Sequence, residues 1–192
     1  MIEKTLVLIK PDGVERGLIG EIISRFERKG LKIVGVKMIS ASDELVARHY
    51  PDSRTEFLKG MGEKTLKVYQ DYDRDPKEVF GTLEPLEIGR KINTWNIDFF
   101  TSGPVVAVLL EGRHAVENAR AVAGATMPNA AIPGTIRGDL ASDSAAYANP
   151  EKRAVQNLVH VSGSPEEAKY EEDIWFSKEE KHTYKRADEG LV

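Results

Sequence analysis

The sequence predicts an α+β fold: a ferredoxin-like split β-α-β sandwich, with a four-stranded antiparallel sheet, helices on one face, and a mostly helical insertion. Three observations carry that expectation. Short apolar runs within residues 5–9, 31–40, 104–112 and 155–161 have the length and β-branched content of buried strands. The segments after them space their apolar residues by three and four, as helices packed on one face do. Their order is strand, helix, strand, helix, insertion, strand, helix, loop, strand, helix, which is the order of that sandwich.

Thr5 to Ile9 reads as the first strand, ending where Pro11 withdraws an amide donor and leaving Lys10 at its exit. From Gly17 to Gly30, Ile19, Ile22, Ile23 and Phe26 form one helical face, with Gly30 as the stop. "LKIVGVKMIS" is the second strand. Ser42 or Asp43 caps a short helix reaching Tyr50, and Pro51 breaks it. Two helices are expected in the next stretch, "EKTLKVYQDY" and "PLEIGRKINTWNIDFF". In the second, Ile88, Ile92, Trp95 and Phe99 make an apolar stripe behind Pro85 at a first-turn position. "PVVAVLLEG" is the third strand, and "HAVENARAVAG" a helix ending at Gly124. Residues 125–153 read as a long ordered loop, a kind of segment that often carries function. "VQNLVHV" supplies the fourth strand, and Ser164-Pro165-Glu166-Glu167 a capping box that opens a helix through Trp175. The expected organisation is a single domain over 1–176 with an insertion at about 51–97, followed by a polar extension over 177–192.

Composition narrows the function. Asp plus Glu number 31 against 27 Lys plus Arg, so no global positive field favours nucleic acid or an anionic membrane, and any anion site must be local. With no cysteine, thiolate nucleophiles, disulfides and cysteine metal sites are excluded. The apolar start is too short for a signal peptide or a membrane span, and a cytoplasmic protein is expected.

Four histidines are present, and no pair has zinc-site spacing. His49 sits at a helix end, where a cation suits the dipole. His114 starts a helix, and His182 lies in the polar tail. His160 differs because its strand runs into Ser162-Gly163-Ser164 and a helix start, which offers amide donors to an anion. An acid placed to hold one ring nitrogen, such as Glu171, would leave the other free to attack. A strand histidine bonded to a neighbour remains the alternative from these residues alone.

The strings "TLVLIKPDGVERGLIGEII", "SGPVVAVLLEG", "GATMP", "PGTIRGDL", "NLVHVSGS" and "EEDIWF", in this order, resemble the nucleoside diphosphate kinase family over nearly the whole chain apart from 51–97 and the tail. The resemblance implies a ping-pong transfer: a histidine takes the γ-phosphate of a nucleoside triphosphate such as ATP and passes it to a nucleoside diphosphate. His160 matches the nucleophile, Glu171 the acid that orients it, Tyr50 a tyrosine beside it and Ser162 a serine near the site. Lys10 matches the lysine reaching the transferred phosphate. Arg120 and Thr126 match the pair on the outer phosphates, Arg137 a second guanidinium, and Asn157 an amide near the ribose and terminal phosphate. The resemblance further implies Mg2+ held mainly by the nucleotide phosphates rather than by protein ligands, and a homo-oligomer, a tetramer or hexamer built from dimers. An aromatic normally covers the base; counting back from Ser102-Gly103-Pro104 puts Ile92 near that position, with Trp95 and Phe99 as possible substitutes.

The pattern departs from the family after the histidine, where Val161, Ser162, Gly163, Ser164 stand in place of glycine, serine, aspartate, serine. A nucleotide-binding regulator with reduced or lost turnover is the alternative reading. An RNA-binding module on the same fold is disfavoured, because its paired strand aromatics are missing.

Overall fold

The computed structural model describes residues 2–188. Strands β1 (Ile2–Ile9), β2 (Lys32–Ser40), β3 (Pro104–Arg113) and β4 (Val159–Val161) form one sheet in the order β2-β3-β1-β4. Every neighbouring pair is antiparallel. Alternate residues of β1 feed opposite faces, as the pleat requires. Val7 and Ile9 pack with Ile22 and Phe26 of α2 (Ile19–Arg28) and with Ala115 and Ala119 of α7 (Ala115–Ala123). Leu6 and Leu8 pack with Val46 of α3 (Asp43–His49), Phe100 of α6 (Pro85–Thr101) and Trp175 of α10 (Pro165–Trp175). Helices thus cover both faces, which corrects the one-faced expectation. The physical reason is in the strand itself: an unbroken apolar run such as Leu6 to Ile9 is suited to burial on both sides.

A short helix, α1 (Pro11–Glu15), follows β1 directly and separates Lys10 from α2, which starts at Ile19. The insertion is a helical hairpin of α4 (Thr55–Asp71) and α6, joined through α5 (Lys77–Phe80). The first of these helices starts eight residues before the expected Glu63. A Cβ on Gly62 would lie 1.9 Å from the Pro85 carbonyl oxygen, and one on Gly89 would lie 1.9 Å from that of Leu58. The pairing of 62 with 85 and of 58 with 89 makes the two helices antiparallel, with backbones in direct contact. Gly60 and Gly62 look like helix breakers in the sequence, yet Gly62 is what lets the hairpin close. Tyr69, Phe80 and Ile88 give the hairpin its own small core.

The loop over 125–153 is ordered by a 3-10 turn (Pro128–Ala130) and two short helices, α8 (Ile136–Leu140) and α9 (Ala145–Ala148). Beyond α10 the chain folds back on β2. An irregularity between Ile33 and Gly35 frees the Val34 carbonyl, which accepts from the His182 amide at 2.7 Å, while Lys37 pairs with Glu180 at 2.7 Å. Residues 189–192 of the expected extension lie outside the described residues. Among the described residues no helix is long and apolar enough to cross a membrane.

Candidate active site

β4 is only three residues long, and its position is set by the turn that precedes it. Leu158 has φ 67°, a left-handed backbone that costs a non-glycine residue on the order of 1–3 kcal/mol. Hydrogen bonds on both sides hold it there. The Lys10 amide donates to its carbonyl at 2.8 Å, and its own amide donates to Asp12 Oδ2 at 3.0 Å. Arg137, 5 % exposed, fastens the same strand: Nε donates to the Asn157 carbonyl at 3.2 Å, Nη2 to Val159 at 2.7 Å, and Nη1 to Gly124 at 2.7 Å. His160 then pairs across from Leu8.

The His160 ring meets Glu171 on α10, with Nε2 2.7 Å from Oε1. Ser162 Oγ accepts from the Leu6 amide at 3.1 Å and so turns its proton to Glu171 Oε2 at 2.6 Å. With one carboxylate oxygen accepting from serine, the other accepts from Nε2–H, and the lone pair is left on Nδ1. Burial lowers the His160 pKa from its ordinary value, and the charges of Lys10, Arg137 and Arg54 lower it further against the pull of Glu167, so the ring is neutral. Burial raises Glu171, opposed by His49, the Ser162 hydroxyl and Arg54.

Lys10 is 6 % exposed, and its Nζ donates to Asn157 Oδ1 at 2.7 Å. Burial brings its pKa down to about 8, against the pull of Asp12. Asn157 in turn donates from Nδ2 to the Thr126 carbonyl at 2.9 Å, which ties the start of the long loop to β4. Tyr50 lies edge-on to His160, ring centroids 6.4 Å apart, and burial drives its phenol pKa up, so it stays protonated. Arg120 is exposed on α7; the position of a Cβ on Gly163 is 3.7 Å from its Nη1. Its charge, after burial, is the next cause that brings Arg137 down to about 10. His160, Lys10, Glu171, Tyr50, Ser162, Arg137 and Asn157 therefore converge on one locus, with Arg120 and Thr126 at its border.

Ile92 is not part of that locus. It packs against the Tyr69, Phe80 and Ile88 core of the insertion, as does Trp95, because the stripe on α6 faces α4 and α5. Phe99, by contrast, has Lys10 Nζ 5.9 Å from its ring centroid. Phe57, 44 % accessible on the first turn of α4, is an exposed aromatic near the Arg54–Glu167 pair, with the Arg54 guanidinium 4.7 Å from its ring centroid. The apolar stripe on α6 masks it in the sequence; an Arg-x-x-aromatic step at a helix start, Arg54 to Phe57, is the available signal.

Three further residues were missed. His49 is 2 % exposed, not a solvated helix-end cation. Its Nδ1 accepts from Trp175 Nε1 at 3.3 Å, and burial pushes its pKa down, so it is neutral and its 3.5 Å approach to Glu171 is not an ion pair. Its ring stacks edge-on against His160, centroids 4.4 Å apart. Asp12 spends both carboxylate oxygens on the amides of Gly13 and Leu158. The Glu167 carboxylate accepts from the Gly163 amide rather than from the Ser164 amide of a capping box: its Oε2 takes the Gly163 N–H at 2.6 Å and its Oε1 an Arg54 N–H at 2.8 Å. A Cβ on Gly163 would meet that oxygen at 2.6 Å, so glycine here makes room for a carboxylate supplied from the next turn.

His49, His160 and Glu171 are the one group of three potential metal ligands among the described residues, and the indole N–H and the His160–Glu171 bond already occupy it. Asp12 is the carboxylate that acts on both Lys10 and Arg137, and its two oxygens are taken by backbone amides, so it offers no free ligand to a hard divalent ion.

Comparison with known proteins gives a consistent result. The family model described as nucleoside diphosphate kinase matches residues 3–64 and 88–181. The chain is 51 % identical over 179 residues to a nucleoside diphosphate kinase of Pyrobaculum aerophilum, covering 93 % of this chain and 97 % of the relative. A crystal structure of an NDP kinase from the same organism superposes with a TM-score of 0.91 at 49 % identity, over 95 % of this chain and 100 % of that one. A nucleoside-diphosphate kinase of Borrelia burgdorferi, a transition state mimic with bound vanadate and ADP, superposes with a TM-score of 0.77 at 37 % identity, over 98 % and 95 % of the two chains.

Proposed function

This chain belongs to the nucleoside diphosphate kinase family, and from that premise we propose that it moves the γ-phosphate of ATP to a nucleoside diphosphate through phospho-His160. The observation that carries the reading is the His160–Glu171–Ser162 chain, which fixes the proton on Nε2 and leaves Nδ1 as a bare nucleophile. Nδ1 attacks the γ-phosphorus, an N–P bond forms, and the P–O bond to the β-phosphate breaks with its electron pair leaving on the diphosphate. The phosphorylated ring gains positive charge, and the Glu171 carboxylate on Nε2–H is placed to offset it. In the second half, a terminal oxygen of the acceptor diphosphate attacks phosphorus, the N–P bond breaks, and the neutral imidazole returns.

Most of the barrier reduction falls to positioned charge, since little bonding to the moving phosphoryl group remains in its transition state. Lys10 supplies the buried cation nearest β4. Arg137 uses three of its five N–H bonds on carbonyls, which leaves two for phosphate oxygens from a frame that does not move. Arg120 and Thr126 border the outer phosphates, and Asn157 relays the position of Lys10 to the loop. Phe57, rather than Ile92, offers a ring face to the base. Magnesium fits this donor set as an ion carried by the phosphates; it would neutralise part of their charge.

We further read residues 1–176 as one domain with the insertion at about 51–97, and the assembly as a homo-oligomer. The second rests on edge strand β2, where Val36 and Met38 are 55 % and 54 % exposed. Incubation with γ-labelled ATP should leave acid-labile, base-stable label on the parent protein, which chases onto added GDP or CDP. His160→Ala should carry none and lose transfer by several orders of magnitude. A His160→Ala protein that still transferred at close to the parent rate would refute the assignment.

A further inference from the structure

Helix α4 is a further link between two sides of the site that β4 also joins. At its start, Arg54 reaches Glu167, which also holds the turn after His160. The helix runs 17 residues, about 25 Å. At its far end Asp73 takes a left-handed φ of 52° and turns the chain, and the Arg74 amide closes the end on the Tyr69 carbonyl at 2.9 Å. Arg74 Nη1 then donates to the Ala146 carbonyl of α9. Asn129 Nδ2 donates to the Tyr72 hydroxyl at 3.4 Å.

Both partners, Ala146 and Asn129, belong to the loop over 125–153, whose first residues carry Thr126 and whose middle carries Arg137. The contacts therefore run from the turn after His160 through Glu167, Arg54 and α4 to Arg74 and α9, and the chain leads from α9 back to Arg137, which bonds the Asn157 and Val159 carbonyls beside His160. The contacts to the loop come from Tyr72 and Arg74, inside the stretch 65–87 that the family model leaves unmatched.

We propose that Arg74 is a positioning residue, and that the insertion is a strut holding the phosphate loop at a set distance from the base-binding end of α4. The inference rests on the nucleotide-binding reading above. Arg137 and Asn157 hold the phosphate end of the loop, and Arg74 tethers its α9 end; without that tether the ligand has to supply the lost ordering, which is subtracted from affinity. Chemistry at His160, once nucleotide is bound, is untouched.

The experiment is a calorimetric titration of ADP into the full chain, with kcat measured at saturating nucleotide. Arg74→Ala should weaken the ADP Kd roughly fivefold, the loss expected of one ordinary hydrogen bond, with kcat unchanged. Arg74→Lys, which keeps a donor of similar reach, should recover most of it. An ADP Kd for Arg74→Ala equal to that of the parent, or a kcat falling in step with affinity, overturns the proposal. Phosphohistidine on the parent tests the underlying reading separately: a parent that binds ADP without labelling His160 sinks the transfer, and the Kd comparison still decides the strut.

Discussion

Lys10 shows how burial converts an ordinary residue into a reactive one. Its pKa of about 8 means that the free protein loses this cation within reach of cellular pH, while bound phosphates raise the value again. As pH rises through 8 we expect kcat/KM, which reports the free enzyme, to fall with a slope approaching tenfold per unit, whereas kcat alone breaks at higher pH. Unfolding does not account for such a loss. An unfolded lysine keeps its proton to about pH 10.4, so between about 8 and 10.4 the folded state binds fewer protons and this group adds stability as pH rises. A kcat/KM profile flat from pH 7 to 9.5 would contradict the role given to Lys10. At this scale much was legible: His160, Glu171, Ser162, Lys10 and Asn157 fall in strings that match a family order. His49, Asp12 and Glu167 were not, because their roles depend on partners more than a hundred residues away or on a glycine that admits a carboxylate.

At the scale of elements, the hairpin of α4 and α6 combines two tasks in separate residues. Gly62 and Gly89 let the backbones touch, so Gly89→Ala drives a methyl group into the Leu58 carbonyl, and a loss of roughly 1–3 kcal/mol is expected in denaturant unfolding. Phe57→Ala, on an exposed turn, should leave that stability within about 0.5 kcal/mol of the parent yet raise the nucleotide KM about tenfold, the scale of one base–aromatic stack. Reversed outcomes would assign the ring to packing and remove it from the base site. The helical spacing of α6 was readable, but which helix it faced was not. Ile92 and Trp95 were drawn toward the nucleotide by counting, whereas the neighbouring Tyr69 and Phe80 claim them for a core of their own.

For the whole molecule, the sheet has two unlike edges. β4 is three residues long and ends in the active-site turn, while β2 is nine residues long with Val36 and Met38 exposed. The segment after α10 lies along β2 from Lys32 to Lys37 yet leaves Val36 and Met38 exposed, and an exposed apolar edge strand is a pairing surface. Sedimentation equilibrium of the parent should return a multiple of the 21.3 kDa chain mass, and Val36→Lys with Met38→Glu should lower it. A parent sedimenting as a single chain would end the oligomer reading.

The sequence by itself determined the four-stranded sheet, the order of its strands and main helices, and the family. Those depend on local periodicity, on turn residues and on strings whose chemistry is contained within a few positions. Only the tertiary structure decided that helices cover both faces, that Glu167 fills the place left by Gly163, and that α4 reaches the phosphate loop. Each of these is a contact between distant segments, and its free energy depends on distances that periodicity does not encode.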